Sequence, residues 1–329
     1  MRQKIVLSGT RPTGALHLGN YFGAVENWVR LQEEYDCYFF IADWHALTTG
    51  YEDNSRYKDN ITEVVMDLYA AGLSPDKSNV FLQSSIQNHA ELHLLFSMIT
   101  PLSWLERCPT YKDQLNQLRD REINTYGFLG YPCLQAADIL IYRGDLVPVG
   151  EDQLPHIELT REIARRFNFL YDRVFNEPQP LLTKAKVLPG TDGRKMSKSY
   201  DNTIDMKDTG ETLKQKVMCM VTDPARIRKS DPGHPEICSV FAFHGLFNEQ
   251  ETAEIEDSCR KGTIGCVECK KNLAGKIAGF MAPIHERRRE IENNPGLIRE
   301  IIGKGNMAAR ERSDKTMADV RKAMGIDWE

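Results

Sequence analysis

Apolar and polar residues follow two different periods along the first half of the chain. Short apolar runs at 4–7, 37–42 and 79–83 predict buried strands. Between these runs, apolar residues recur every three or four positions at 17–34 and 54–73, which predicts helices with one buried face. Strands separated by helices of this length indicate a parallel sheet with helices on both faces.

The alternation continues to about residue 170. The pattern predicts a helix beginning near 89, a helix at 131–142, a strand at 146–149 and a helix at 156–170. We therefore predict an α/β fold with a Rossmann-like, doubly wound parallel sheet. In such sheets ligands bind beyond the carboxyl ends of the strands.

The pattern changes after residue 202. Strand signals fade, and helical patterns rich in lysine and glutamate take over, for example at 211–220 and 271–289. We place a domain boundary near residue 203. The prediction is an α/β domain at 1–203 and an all-helical domain at 204–329, whose last helices pack back on the first domain.

Composition limits the class of protein. The chain has 329 residues, of which 41% are hydrophobic and 27% charged, as expected for a soluble protein with two domains. No apolar run approaches 18 residues, and the start passes directly into a strand, so the sequence predicts a cytoplasmic protein without a membrane span. The net charge of −5 argues against binding nucleic acid by overall charge. Local basic runs remain, such as 287–289, although these also resemble ordinary solvated helix faces.

Two motifs carry candidate chemistry. The HLGN motif (residues 17–20) follows the first strand and opens a helix, where backbone N–H groups and the helix dipole favour a phosphate. Its Gly19 would let a nucleotide approach closely. The KMSKS loop (residues 195–199) carries two lysines that can neutralise a departing pyrophosphate. Either motif alone is also typical of a chance helix start or a solvated linker, but the pair in this order indicates cleavage of ATP between its α- and β-phosphates.

The pair, with further stretches, resembles the class I aminoacyl-tRNA synthetases and is most similar to the bacterial tryptophanyl-tRNA synthetases. The stretches are SGTRPTG at 8–14, DWHA at 43–46, GYP and AADIL within 130–140, VPVGEDQ at 147–153 and HIELTR at 156–161. The resemblance implies ATP and Mg²⁺, L-tryptophan and tRNA(Trp) as substrates and partners, and a homodimer that binds neither membranes nor DNA. It makes 1–203 the catalytic domain and 204–329 the anticodon-binding domain.

The resemblance also implies where each substrate binds. The residues around ATP are Arg11, Pro12, Thr13, His17, Gly19, Asn20, Gly150, Glu151, Asp152, Val187, Lys195, Met196, Ser197, Lys198 and Ser199. The residues around tryptophan are Leu7, His45, Tyr131, Gln135, Asp138, Val147, Val149 and Gln153. His17, Lys195 and Lys198 are implied to be catalytic, and Asp138 is implied to accept the indole N–H. Mg²⁺ is expected to be held mainly by the phosphates.

The pocket residues leave alternatives open. Gln135 stands where many relatives have methionine, and Tyr-x-x-x-Gln-x-x-Asp is also the pattern that tyrosyl-tRNA synthetases use for a phenol. Arg11 stands where glutamine is frequent. Asp138 has the further alternative of a structural carboxylate that pairs with Arg143. A paralogue that binds tRNA without catalysis is the alternative outside the enzymes.

Four of the eight cysteines form a spaced set, C-x20-C-x6-C-x2-C, made of Cys238, Cys259, Cys266 and Cys269. Four thiolates suit a tetrahedral metal site or a cubane cluster. Zinc ribbons usually present two close pairs, and the single pair here favours a 4Fe–4S cluster over Zn²⁺. The set is similar to that of a subset of tryptophanyl-tRNA synthetases that carry such a cluster, in which the first gap is slightly longer. Unbound thiols remain an alternative, and the other four cysteines are expected to be buried.

Overall fold

The computed structural model describes residues 3–109, 125–182 and 188–328. Within these ranges, five parallel strands form one sheet in the order β3-β2-β1-β4-β5. The strands are β1 (Ile5–Thr10), β2 (Asp36–Ile41), β3 (Ser78–Leu82), β4 (Leu146–Val149) and β5 (Gln179–Leu182). The predicted Rossmann-like fold class is confirmed.

Helices cover both faces of this sheet and make up the region after residue 203. The first, α1, combines an α-helical turn (Leu18–Asn20), a π-helical segment (Tyr21–Val25) and a second α-helical segment (Glu26–Leu31). The others along the sheet are α2 (Asp43–Gly50), α3 (Tyr57–Ala70), α4 (Asn88–Ile99), α5 (Leu102–Glu106), α6 (Tyr126–Leu140) and α7 (Leu154–Leu170). The later helices are α8 (Gly210–Cys219), α9 (Ser239–Phe247), α10 (Thr252–Arg260), α11 (Cys266–Glu292) and α12 (Pro295–Met324).

Strand β1 positions the candidate site. Its residues Ile5, Val6 and Leu7 are at most 1% exposed because strands pair with it on both sides and helices cover both faces. The strand order reverses between β1 and β4, and such a reversal opens a crevice at the carboxyl ends of the strands. The chain leaves β1 toward the HLGN motif and leaves β4 toward residues 150–153.

The sequence missed β5 because its signal is weak. Strand β4 is equally short and also contains a proline, but it begins with Leu-Val and three of its residues are buried, whereas β5 begins with the polar Gln179 and none of its residues is fully buried. Proline cannot donate to a strand ladder and is tolerated at a sheet edge, which is where β5 lies.

The last two helices pack against the sheet region. In α12, Gly305 lies against β3 so closely that a Cβ atom there would sit 1.9 Å from the carbonyl oxygen of Val80. The side chain of Asn306 accepts a hydrogen bond from the backbone N–H of Leu82 at 3.0 Å. None of the helices described is long and apolar enough to cross a membrane.

One residue of a predicted basic surface is instead buried. Arg288 in α11 is 6% exposed and forms ion pairs with Asp67, Glu63 and Glu292. The second carboxylate oxygen of Asp67 accepts the backbone N–H of Leu16 at 2.6 Å, just before the HLGN motif. This arginine therefore joins the helical region to the start of α1 and is not available as a solvated basic residue.

Candidate active site

A cavity of about 410 Å³ lies at the carboxyl ends of β1 and β4. That volume suits a small organic ligand. Nine of the residues predicted to bind substrate line it: Leu7, Arg11, His45, Tyr131, Gln135, Val147, Val149, Gly150 and Gln153. The structure therefore brings together positions that are up to 146 residues apart in the chain.

The deep end of the cavity is aromatic. Tyr131 lies on α6 with its ring centroid 5.7 Å from that of Phe128 and 5.4 Å from that of His156. The Tyr131 hydroxyl and His156 Nε2 are 3.1 Å apart. Burial lowers the pKa of His156 to about 4, so the imidazole is neutral and one ring nitrogen can accept from the tyrosine. Sequence reasoning used His156 only as part of a motif, yet it lines the cavity.

Asp138 lies behind the cavity wall and does not line it. Its carboxylate is fully buried, and each oxygen has partners. Oδ1 is 2.6 Å from Nδ1 of His89, Oδ2 is 2.8 Å from Nε2 of His45, and Nε2 of Gln83 donates to both at 2.8 and 2.9 Å. The pocket-lining imidazole of His45 thus stands between the carboxylate and the cavity.

The partners of Asp138 keep it ionised. Burial opposes ionisation, but the hydrogen bonds from His45 and His89 outweigh it and hold the pKa of Asp138 well below its ordinary value. The alternative pairing with Arg143 is not found, since Arg143 forms an ion pair with Asp319. His89 and Gln83 belong to this network without having been predicted, because they lie on other elements and no motif marks them.

The HLGN motif forms a self-capped helix start. His17 Nδ1 accepts the backbone N–H of Asn20 at 3.2 Å, and Asn20 Oδ1 accepts the backbone N–H of His17 at 3.1 Å. Burial, with the charge of Lys198, lowers the pKa of His17 to about 4. A neutral imidazole whose Nδ1 accepts carries its proton on Nε2, so this nitrogen is left as a donor.

The fold itself requires glycine at position 19, in addition to any need for a nucleotide to approach closely. A Cβ atom at this position would lie 2.9 Å from Nδ1 of His17. Glycine therefore lets the His17 ring fold over its own helix turn. The backbone N–H of Gly19 is also 3.4 Å from Sδ of Met196, so the KMSKS loop covers this turn.

The KMSKS loop contacts the turn that follows β1. Lys198 Nζ donates to the carbonyl oxygen of Thr13 at 3.1 Å and lies 3.4 Å from its hydroxyl. Met196 is buried, whereas Lys195 and Ser199 are exposed. Burial lowers the pKa of Lys198. Ser197 accepts the backbone N–H of Ser199 at 3.3 Å, which starts a short 3-10 turn.

The remaining predicted ATP residues differ in exposure. Glu151 and Asp152 are exposed on a 3-10 turn after β4, where Gln153 Nε2 donates to Asp152 at 2.7 Å. Pro12 is buried and Arg11 is exposed. Val187 lies outside the described residues.

The four spaced cysteines line one small pocket in the helical region, together with Arg226 and neighbouring apolar residues. Arg226 Nη1 is 3.8 Å from the sulfurs of Cys259 and Cys266, and His244 Nε2 is 3.3 Å from that of Cys269. Across the described ranges, no group of three or more His, Cys, Asp or Glu residues is arranged to hold a metal ion. The sequence expectation of a metal centre is therefore not confirmed.

Three of the other four cysteines are buried, and one is exposed. Cys37, Cys108 and Cys133 are buried as expected. Cys219 is exposed, which corrects the expectation of burial. Cys219 is the last residue of α8, and its side chain lies on the solvent side of a helix end whose buried side chains are Val217 and Met220.

Known proteins match this chain over nearly its full length. Residues 1–282 match the family described as tRNA synthetases class I (W and Y). A tryptophan–tRNA ligase of Thermotoga maritima is 52% identical over 98% of this chain and 99% of its own length. The tryptophan–tRNA ligase of Aquifex aeolicus is 48% identical, with 98% and 99% covered.

A solved structure has the same fold. The tryptophanyl-tRNA synthetase of Campylobacter jejuni, in complex with ADP and tryptophan, aligns with a TM-score of 0.89 at 34% identity, covering 98% of this chain and 99% of that one. The matched family, the full-length relatives and this solved structure agree with one another and with the observed fold. The chain therefore belongs to the class I tRNA synthetases for tryptophan and tyrosine, and within them to the bacterial tryptophanyl-tRNA synthetases.

Proposed function

We propose that this protein activates L-tryptophan with ATP and transfers it to tRNA(Trp), with the aromatic cavity as the tryptophan site and the HLGN motif and KMSKS loop as the ATP site. One observation carries the proposal: the KMSKS loop contacts the HLGN motif through Met196 and Gly19 and the preceding turn through Lys198 and Thr13, and the cavity lined by Tyr131 and Gln135 opens from the same strand β1. The full-length similarity to tryptophan–tRNA ligases supports the same substrate.

In the first step, a carboxylate oxygen of tryptophan attacks the α-phosphorus of ATP. A bond forms between this oxygen and the phosphorus, the bond from the phosphorus to the bridging oxygen breaks, and pyrophosphate leaves with the electron pair. Lys195 and Lys198 neutralise the charge that develops on the leaving group, and His17 donates its Nε2 proton to a phosphate oxygen in a hydrogen bond. Mg²⁺ enters with ATP and is held mainly by its phosphates.

In the second step, a terminal ribose hydroxyl of the tRNA attacks the carbonyl carbon of the adenylate. An ester forms, AMP leaves with the electron pair, and the hydroxyl proton is released. Neither step needs a covalent intermediate with the enzyme, because positioning and charge stabilisation supply the rate enhancement. The region 204–329 is proposed to bind the anticodon part of the tRNA, and the protein is proposed to work in the cytoplasm.

Recognition of the indole is proposed to use Asp138. Both of its oxygens already accept hydrogen bonds, so accepting the indole N–H requires His45 to release Oδ2. A ligand without that donor leaves the Asp138–His45 bond in place and gains no hydrogen bond to the carboxylate, so the indole N–H is selected by the bond that it gains. Gln135 lines the same cavity and keeps tyrosine as the second candidate substrate.

Charging of tRNA tests the proposed function as a whole. With tRNA(Trp) and tRNA(Tyr) transcripts, each offered tryptophan and tyrosine, we expect ester formation only for tryptophan on tRNA(Trp). Charging of tRNA(Tyr) with tyrosine would favour the second candidate. No charging of either, with tRNA binding retained, would favour a non-catalytic paralogue.

We propose that the protein is a homodimer through the outer face of α4 and α5. Leu94 and Met98 are one helical turn apart and are 55% and 66% exposed, and Leu102 is 63% exposed. A contiguous exposed apolar face of this kind marks an interaction site. Light scattering after size-exclusion chromatography is expected to give twice the chain mass for the wild type and the single chain mass for Leu94→Asp with Met98→Asp. A monomeric wild type would contradict the proposal.

We propose that the four spaced cysteines hold a 4Fe–4S cluster. Two observations support the fit: all four cysteines line one pocket, and Arg226 and His244 lie near their sulfurs as hydrogen-bond donors. When bound, the cluster supplies a rigid cross-link between the segment before α9 and helices α10 and α11.

Anaerobic purification tests the cluster. A brown protein with matched iron and acid-labile sulfide is expected, and the colour should be lost in Cys259→Ser. A colourless preparation that contains zinc would contradict the proposal and favour Zn²⁺. A colourless preparation without metal would favour unbound thiols.

A further inference from the structure

We propose that Asn202 is a positioning residue that fixes the backbone of the KMSKS loop in the conformation that presents its two lysines. The inference deepens the proposed function, since the role of those lysines in ATP chemistry rests on that function. Asn202 follows the loop by three residues and touches neither lysine ammonium group. Its side chain instead bonds the main chain of the loop from inside.

The side chain of Asn202 is 1% exposed and makes three hydrogen bonds. Its Oδ1 accepts the backbone N–H of Ser197 at 2.7 Å. Its Nδ2 donates to the carbonyl oxygen of Lys195 at 3.2 Å and to Oδ1 of Asp192 at 2.7 Å. The two backbone partners flank Met196, so the amide fixes the backbone of the loop's first three residues.

The orientation of the amide is determined by its partners. A carbonyl and a carboxylate can only accept, so both must face the NH₂ group of Asn202. The N–H of Ser197 can only donate, so it must face the oxygen. Arg194 holds the carboxylate of Asp192 from the other side, with Nε at 2.7 Å. Aspartate at position 202 would place a carboxylate oxygen against two acceptors, although its volume is almost unchanged.

The loop is built to admit this side chain. A Cβ atom on Gly190 would lie 2.2 Å from Cγ of Asn202, so only glycine leaves room for the amide. Asp201 has a left-handed backbone with φ 51°, which turns the chain back toward the loop. The backbone N–H of Thr191 donates to the carbonyl oxygen of Asn202 at 2.9 Å. The two arms of the loop, 188–190 and 194–196, are paired through Gly190 and Met196 and closed by Asn202.

Kinetics on Asn202→Asp test the inference. We expect kcat/KM for ATP in tryptophan-dependent pyrophosphate exchange to fall at least about tenfold, with the dissociation constant for tryptophan unchanged in the absence of ATP. Gly190→Ala places a methyl group against the Asn202 amide. It is expected to show the same result, a lower kcat/KM for ATP with an unchanged dissociation constant for tryptophan. Asn248→Asp changes another buried asparagine, in the helical region, and serves as the matched control that keeps the ATP parameters of the wild type.

Limited trypsin digestion gives a readout that does not depend on activity. Asn202→Asp and Gly190→Ala are expected to be cut after Arg194, Lys195 or Lys198 at least about tenfold faster than the wild type and Asn248→Asp. Unchanged cleavage, or equal losses of tryptophan and ATP binding, would overturn the inference. A wild type without exchange activity would refute the proposed function, and the digestion would still decide the role of Asn202.

Discussion

The ammonium group of Lys198 lies 3.1 Å from the carbonyl oxygen of Thr13, although the two residues are 185 positions apart in the chain. This contact joins the KMSKS loop to the turn that precedes the HLGN motif. Burial disfavours the charged ammonium and lowers its pKa, so a phosphate bound beside it would offset that cost. The two motifs therefore form one candidate ATP site, which we call the ATP clamp.

Removing Lys198 should affect the chemical step. For Lys198→Ala we expect kcat of pyrophosphate exchange to fall by about 10² to 10³, the usual loss when one group that stabilises developing charge is removed. Tryptophan binding, followed by fluorescence, should change less than about twofold. Lys214→Ala is the control, because Lys214 is an exposed lysine paired with Glu211 in α8. A loss of tryptophan affinity as large as the loss of kcat would argue against this role.

His17 should make stability depend on pH in one window. Its pKa is about 4 in the folded protein against an ordinary 6.5, so between these values the unfolded chain binds more protons. Stability should therefore fall as the pH drops from 6.5 toward 4. His17→Asn keeps a helix-capping side chain and removes this contribution. Urea unfolding should show that the free energy of unfolding falls less between pH 7 and pH 5 in the variant than in the wild type. Equal decreases in the two proteins would show that His17 does not titrate as described.

Asp138 should determine how strongly the enzyme prefers a substrate that carries the indole N–H. We expect the wild type to prefer tryptophan over its benzothienyl analogue, which lacks that donor, by about 10- to 100-fold in kcat/KM, since a hydrogen bond to a charged group contributes about 1.5–3 kcal/mol. In Asp138→Asn the preference should shrink toward one. Phe128→Leu, which alters only the apolar wall, should keep it. Equal use of both substrates by the wild type would assign the indole N–H to another acceptor.

Arg288 should contribute to the free energy of unfolding through Asp67. Arg288→Met leaves a buried carboxylate without its cation and should cost about 3–5 kcal/mol, measured by urea unfolding. Adding Asp67→Asn should recover part of this loss, because the uncompensated charge is gone. Lys304→Ala breaks an exposed pair with Asp76 and should cost less than about 1 kcal/mol. Similar costs for the buried and exposed pairs would contradict the described burial.

Most of the fold could be predicted from the sequence because strands and helices leave local patterns in it. The strands inside the sheet are buried apolar runs, whereas β5 is an edge strand that begins with the polar Gln179 and has no fully buried residue. The position of the Asp138 side chain behind the cavity wall could not be predicted from the sequence. It lies one turn from Gln135 on α6, but Gln135 faces the cavity and Asp138 faces His89 and Gln83. Those partners come from separate elements, and only tertiary packing decides which of two neighbouring helix positions points inward.

The contacts of the KMSKS loop also depend on tertiary packing, which the sequence does not show. The KMSKS residues form a motif and could be predicted, but Asn202 acts through its distance to Lys195 and Ser197 in the folded loop. No spacing in the chain reveals that contact.

Tryptophan-dependent ATP–pyrophosphate exchange tests the ATP clamp and the tryptophan cavity together. Measured with tryptophan and tyrosine in parallel, for the wild type and for Lys195→Ala, it should show exchange with tryptophan only and a loss of at least about 10² in the variant. Tryptophan binding to the variant should stay nearly intact. Exchange supported by tyrosine, or exchange unchanged in Lys195→Ala, would contradict the account.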